Sequence, residues 1–202
     1  MSPKSPVNAV VVRKEEKEAK LQAFVSAHLA ACSVPGQGTV ATNAMLLVAR
    51  SVDSPLVKAV KSLAAEIEAC GVTVFAILTP DAEAGAAPVA SLAPAWTIRC
   101  LADVRFRDAH EQLLLGPATS WIGDCMRRDP SKRDAFESYA DACPVTADNA
   151  RKSFWRLWNA AKPLGEIAAR GSTDTAAASA VAAAHAENPS DHTNGPSALT
   201  RQ

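Results

Sequence analysis

The chain has 202 residues, and 21 Lys and Arg balance 21 Asp and Glu, so its formal net charge is zero. That length suffices for one domain with its own core plus an appendage. The charge balance excludes a global electrostatic drive toward nucleic acid, anionic lipid or acidic partners.

Residues 1–8 are polar with two prolines, and the apolar run Ala9–Val12 is too short for the core of a signal peptide. Ala9-Val-Val-Val12 reads as a short buried strand. The charged run Arg13–Glu18 leads into a helix whose apolar stripe is Leu21, Phe24, Val25, His28, Leu29 and Cys32. Pro35-Gly-Gln-Gly38 breaks it. Met45–Ala49 has strand length. Asp53-Ser-Pro55 then starts a helix, with Ser54 as N-cap and Pro55 in the first turn. Leu56, Val57, Val60, Leu63, Ala64 and Ile67 form its buried stripe, and Gly71 stops it. Val72–Leu78, rich in β-branched and aromatic residues, is a third strand.

Thr79–Pro94 is a loop of Ala, Pro and Gly. Thr97–Leu101, Glu111–Leu115 and Ser120–Ile122 are three further short strands. Pro130-Ser-Lys-Arg-Asp134 carries a capping-box pattern and predicts a helix capped by Ser131. Cys143-Pro144 breaks that helix. Thr146 caps the next one, whose face holds Ala150, Phe154, Leu157, Trp158 and Ala161 and which Pro163 ends. Trp155 lies off this stripe, on a flank with Arg151 and Arg156, where it suits an interface. From about Arg170 the composition turns to Ala, Ser, Thr, Asn and Pro without aromatics. The organisation expected is one α/β domain over residues 1–165 and a disordered tail over 166–202. Early strand–helix alternation implies a partly parallel, mixed sheet with helices on both faces, and the later strands add antiparallel at one edge.

The five cysteines, Cys32, Cys70, Cys100, Cys125 and Cys143, are odd in number and widely spaced, with no Cys-x-x-Cys. This argues against a disulfide framework or zinc site and for thiols in a reducing cytoplasm. No apolar stretch reaches the ~18 residues of a membrane span. Asp124 and Asp129 lack a third ligand of suitable spacing, so no metal is expected. No Gly-rich phosphate loop follows the first strand, and no cofactor is expected.

The most informative segment is Asp108–Met126. A His opens an apolar run, a turn follows, and a second short run ends in Gly123-Asp124. This layout, with the element order around it over residues 9–160, resembles one half of a phospholipase D-like fold. The motif of that superfamily runs His-x-Lys, four residues, Asp, and then Gly-Ser-x-Asn. His110 falls on the motif His and Gly123 on the motif Gly. Gln112 stands at the Lys position, Pro117 at the Asp position, Asp124 at the Ser position and Met126 at the Asn position.

The resemblance implies a mechanism in which two motifs meet. One His attacks phosphorus, the other protonates the leaving group, and lysines hold the phosphate oxygens. This chain has one copy, so a homodimer would have to supply the second His110. Gln112 donates hydrogen bonds but carries no charge. Arg127 and Arg128, which leave the second strand beside His110, are the candidate anion-binding residues together with Gln112, for weak phosphate or polyanion binding. Asp103, Asp108, Asp124, Asp129 and Asp134 interleave with the basic residues, and a self-neutralising network is the competing reading.

Three functional readings follow. The first is a catalytically degenerate phospholipase D-like domain serving as a binding or assembly module. The second is a homodimeric phosphodiesterase or nuclease using His110 from each subunit. The third is a flavodoxin-like α/β domain, which strand order would separate from the other two.

Overall fold

A computed structural model describes residues 7–32, 44–79, 92, 96–101, 103–129 and 132–163. The tail expected beyond residue 165, and nearly all of the loop expected between Thr79 and Pro94, lie outside the described residues. One sheet of eight strands organises the molecule. In chain order its elements are β1 (Val7–Val12), α1 (Lys17–Cys32), β2 (Ala44–Ala49), α2 (Pro55–Ser62), α3 (Ala64–Ala69), β3 (Thr73–Leu78) and β4 (Trp96–Cys100). A short 3-10 helix (Val104–Asp108) follows, then β5 (His110–Leu114), β6 (Ser120–Cys125), β7 (Ala135–Ala140), α4 (Pro144–Ala160) and the two-residue β8 (Lys162–Pro163). The spatial order is β1-β7-β6-β5-β2-β3-β4-β8.

β2, β3 and β4 are parallel neighbours, and every other pairing is antiparallel. β1, β6, β2, β3 and β4 therefore point one way, and β7, β5 and β8 the other. The antiparallel addition expected at one edge is the run β5-β6-β7, and it lies inside the sheet instead. It is inserted between β1 and β2, so α1 returns the chain across three strands before β2 begins. A flavodoxin-like sheet, with its first strand inside a parallel core, does not have this order.

The two faces have separate cores. On one, Leu21, Val25 and Leu29 of α1 pack with Leu56, Val57 and Val60 of α2 and Ile67 of α3, against Met45, Leu47, Val74, Leu113 and Trp121. On the other, Ala150, Phe154, Leu157 and Trp158 of α4 cover Leu46, Val48, Ile77 and Leu114. The alternation is the period-2 side-chain geometry of a strand buried on both sides: Leu113 and Leu115 join the first core and Leu114 the second. Trp158 lies in the second core as its helical spacing predicts.

Four further expectations need correction. The capping-box pattern at Ser131–Asp134 does not start a helix, because Ala135–Ala140 is β7. Residues 135, 137 and 139 turn to the α1 face, and the ladder to β1 on one side and β6 on the other overrides the local signal. Asp134 accepts a hydrogen bond from the Lys14 backbone N–H at 2.9 Å, tying the start of β7 to the end of β1. Secondly, β1 is an edge strand: Val12 is buried, whereas Val10 and Val11 are exposed, with Phe136 of β7 beside them at 77% exposure. Thirdly, α4 begins at Pro144 with Cys143 as its N-cap, so Thr146 is an intrahelical residue. Its Oγ1 lies 3.0 Å from Cys143 Sγ. Lastly, the helix after Ser54 is two helices, broken at Leu63.

Candidate functional site

The carboxyl ends of β2, β3, β4 and β6 and the amino end of β5 meet along one rim of the sheet. His110 opens β5 there, facing the α4 side and exposed. The register between β5 and β6 slips at this point. His110 opposes Cys125 while Gln112 opposes Ile122, so β6 carries one extra residue. Across the slip, His110 Nδ1 lies 2.8 Å from the carbonyl oxygen of Gly123. A carbonyl only accepts, so Nδ1 is the donor, and in the neutral imidazole the lone pair is then on Nε2. The hairpin is closed beneath by the Met126 N–H donating to Ala109 O at 2.8 Å.

The remaining sequence candidates do not converge on His110. The Gln112 side chain is 4% exposed, and its Nε2 donates to Ala150 O of α4 at 3.4 Å. Arg127 forks onto Asp108, with Nε 2.8 Å from Oδ1 and Nη2 2.9 Å from Oδ2. Arg128 Nη1 lies 3.2 Å from Asp124 Oδ2, and the other oxygen of Asp124 accepts from the Cys125 N–H at 2.8 Å. The carboxylates interleaved in sequence thus occupy both guanidinium groups in space. Because Ala135–Ala140 is a strand, no helix start near Ser131 adds donors to an anion there. Asp103 and Arg105 pair in the same way, which holds the Asp103 carboxyl below its ordinary range.

One cation at this rim and one buried cluster escaped the sequence reading. Arg50, immediately after β2, reaches Asp129 at 3.9 Å, and Lys132 reaches the same carboxylate at 3.3 Å. On the α1 face lies a buried charged cluster. Lys17 Nζ is 3.5 Å from Glu137 Oε1, and both side chains are 2% exposed. Glu137 Oε2 accepts from Trp121 Nε1 at 3.1 Å and from the Tyr139 hydroxyl at 2.9 Å. Burial and the adjacent Glu137 carboxylate push the Tyr139 phenol upward. Glu111, next to His110 but on the opposite face, accepts from the Arg50 N–H at 3.1 Å. Burial raises its carboxyl above the ordinary range despite that bond and the nearby Lys17. The only sequence sign of this cluster was a Glu between apolar strand positions, and at Glu137 the helix reading of residues 131–142 hid it.

Among the described residues, no cluster of three or more His, Cys, Asp or Glu side chains has metal-binding geometry. None of the helices among them is long and apolar enough to cross a membrane.

No protein-family model and no curated protein sequence matches this chain. Solved structures do. Nuc, a phospholipase D family member from Salmonella typhimurium, superposes with a TM-score of 0.52 at 16% identity, over 78% of this chain and 97% of that one. NucT from Helicobacter pylori gives 0.50 at 10% identity, over 79% and 99%. TrmBL2, described as an archaeal chromatin protein with a novel mode of DNA binding, gives 0.50 at 13% identity, over 81% of this chain and 55% of that one. At these identities the likeness is one of architecture, and it agrees with the hairpin resemblance around His110: the chain has a phospholipase D-like α/β fold.

Proposed function

We propose that the chain is a binding or assembly module on a phospholipase D-like fold, without phosphodiesterase activity of its own. The observation that carries this reading is Gln112. At the position where the family motif has its lysine, this side chain is neutral, buried and turned to Ala150 O. Phosphoryl chemistry depends on cations held at the developing charge, and removing one preorganised contact of this kind costs about two to three orders of magnitude. Arg127 and Arg128 do not substitute, since Asp108 and Asp124 neutralise them. The odd, widely spaced cysteines favour a cytoplasmic setting.

A homodimeric phosphodiesterase is the second reading. The Nδ1 contact to Gly123 favours it, because in the neutral ring it puts on Nε2 the lone pair a nucleophile needs. That chemistry requires a second His110 from a partner copy. One assay separates the two: the purified protein on bis(p-nitrophenyl) phosphate, with His110→Ala as control. Equal background rates are expected. Turnover that His110→Ala abolishes, in a preparation that sediments as a dimer, would establish the second reading instead.

A further inference from the structure

The cations around His110 and those along α4 differ in their partners. At the rim near His110, Arg50, Arg105, Arg127, Arg128 and Lys132 each face an Asp. Along α4, β4 and β8 the pattern inverts. From Asn149 to Pro163 the chain carries Arg151, Lys152, Arg156 and Lys162 and no acidic residue. β3 and β4 contribute one charge, Arg99. Lys152 pairs with Asp148. Among the described residues, no ion pair involves Arg99, Arg151, Arg156 or Lys162. Arg99 and Arg151 are instead fixed by carbonyls, with Arg99 Nη1 donating to Trp158 O at 2.9 Å and Arg151 Nη2 to Gly116 O at 2.7 Å. These bonds orient the two guanidinium groups without cancelling their charge.

Aromatic rings share this flank. α4 covers β2, β5 and β6, and beside it the β3–β4 surface offers Phe75, half-buried. Trp155 stands over it, with ring centroids 6.3 Å apart. Trp155 also packs at 85° against Phe154 and at 80° against Trp158, and Arg99 lies 4.7 Å above the Trp158 ring. Trp155 is therefore held by three aromatic neighbours and still 41% exposed. An indole already ordered loses little conformational freedom when a flat group stacks on it.

From this arrangement we propose that the α4–β4 flank, centred on Trp155, binds single-stranded nucleic acid, with Arg99, Arg156 and Lys162 facing the backbone. An ordered, exposed indole among uncompensated cations offers a face on which an unpaired base stacks while phosphates are neutralised. Charge argues against a second copy of the chain as occupant, because self-association through this flank would set like charges against each other. An acidic peptide would satisfy the cations but leave the exposed indole without a planar partner. The site lies over β3 and β4, on the far side of β2 from His110. The proposal gives the binding-module reading its partner and rests on it. The two fail separately, since phosphodiester turnover at His110 would overturn that reading without bearing on oligonucleotide affinity at Trp155.

The test is fluorescence anisotropy of a labelled fifteen-nucleotide oligothymidine with the full chain, at low and moderate salt. Wild type should bind at low salt, weaken as salt rises, and show quenched tryptophan emission. Trp155→Ala should weaken binding about tenfold or more, the usual loss for one stacked base, and Trp155→Phe should restore part of it. The surface pair Arg156→Ala with Lys162→Ala should weaken binding and flatten the salt dependence. Polyglutamate and inorganic polyphosphate should compete poorly. No binding by wild type at low salt would overturn the proposal. So would equal affinity in Trp155→Ala and the Arg156–Lys162 pair, equal competition by either polyanion, or a wild-type dimer that Trp155→Ala dissociates.

Discussion

Gly123 lies against the Trp121 indole so closely that a Cβ at residue 123 would fall 2.5 Å from Cη2 and 2.6 Å from Cζ2 of that ring. The same glycine presents its carbonyl to His110 Nδ1. Trp121 is anchored in turn through its Nε1 by Glu137, the partner of Lys17. A buried ion pair on one face of the sheet is thus linked, through one indole and one glycine, to the exposed imidazole on the other.

Gly123→Ala should accordingly cost about 1–3 kcal/mol, the usual cost of overpacking a filled interior. It should also displace the carbonyl from His110, which the imidazole nitrogen chemical shifts report. Denaturant melts superimposable on wild type would mean that Trp121 moves aside freely.

Replacing Lys17 with Met should destabilise the protein by about 3–5 kcal/mol, because Glu137 would be left charged and buried without its partner. Lys17→Met combined with Glu137→Gln should recover most of that loss, since Gln still offers an oxygen to Trp121 and Tyr139. A double-mutant cycle in urea measures the coupling. Additive losses would show that the two charges do not depend on each other.

Glu111 sets a pH dependence. Its folded-state carboxyl is raised by burial, so the folded chain holds this proton at pH values where the unfolded chain, with a carboxyl near ~4.3, has lost it. Stability from this group is full below the unfolded value and falls as pH rises through the higher folded one. Glu111→Gln should raise the melting temperature at neutral pH and flatten its decline above the unfolded value. Parallel wild-type and variant curves of melting temperature against pH would count against this account.

Trp158→Ala should cost about 3–5 kcal/mol, as large aromatic deletions in cores do. The ring stacks on Phe154 at 5.5 Å and carries Arg99 on its other contacts. A loss under about 1 kcal/mol, read by urea melts, would mean the second core closes over the gap.

Phosphate binding at Arg127 and Arg128 is expected to be weak while Asp108 and Asp124 fill their forks. Asp108→Asn together with Asp124→Asn should tighten inorganic phosphate binding in calorimetry at low salt. An unchanged isotherm would remove these two arginines as an anion site.

Much of the fold was legible because apolar periodicity reports burial directly. Met45–Ala49 and Val72–Leu78 read as strands, and the Leu21, Val25, Leu29 stripe read as one face of a helix, because each pattern is local. β7 was not legible, since Pro130–Asp134 looks like a helix start and only pairing with β1 and β6 makes Ala135–Ala140 a strand. The edge position of β1 is likewise a property of the sheet, not of the run Ala9–Val12. At the rim, the hairpin pattern joined His110 to Gly123, and the geometry bears out that proximity. Lys17, Glu111 and Glu137 stayed hidden because a buried charge is intelligible only once its partners are in place.

The pairing of β1 with β7 also sets a timetable for folding. Val7 lies opposite Ala140, roughly 130 residues later in the chain. The β2–β3 pair and the β5–β6 hairpin close over short separations, and their ladders can form early. The β1 ladder must wait until β7 exists and must then close the longest loop in the sheet, which is entropically the slowest step. During synthesis β1 is made well before its neighbour, and until the two pair β7 stands as an open edge with Phe136 beside it.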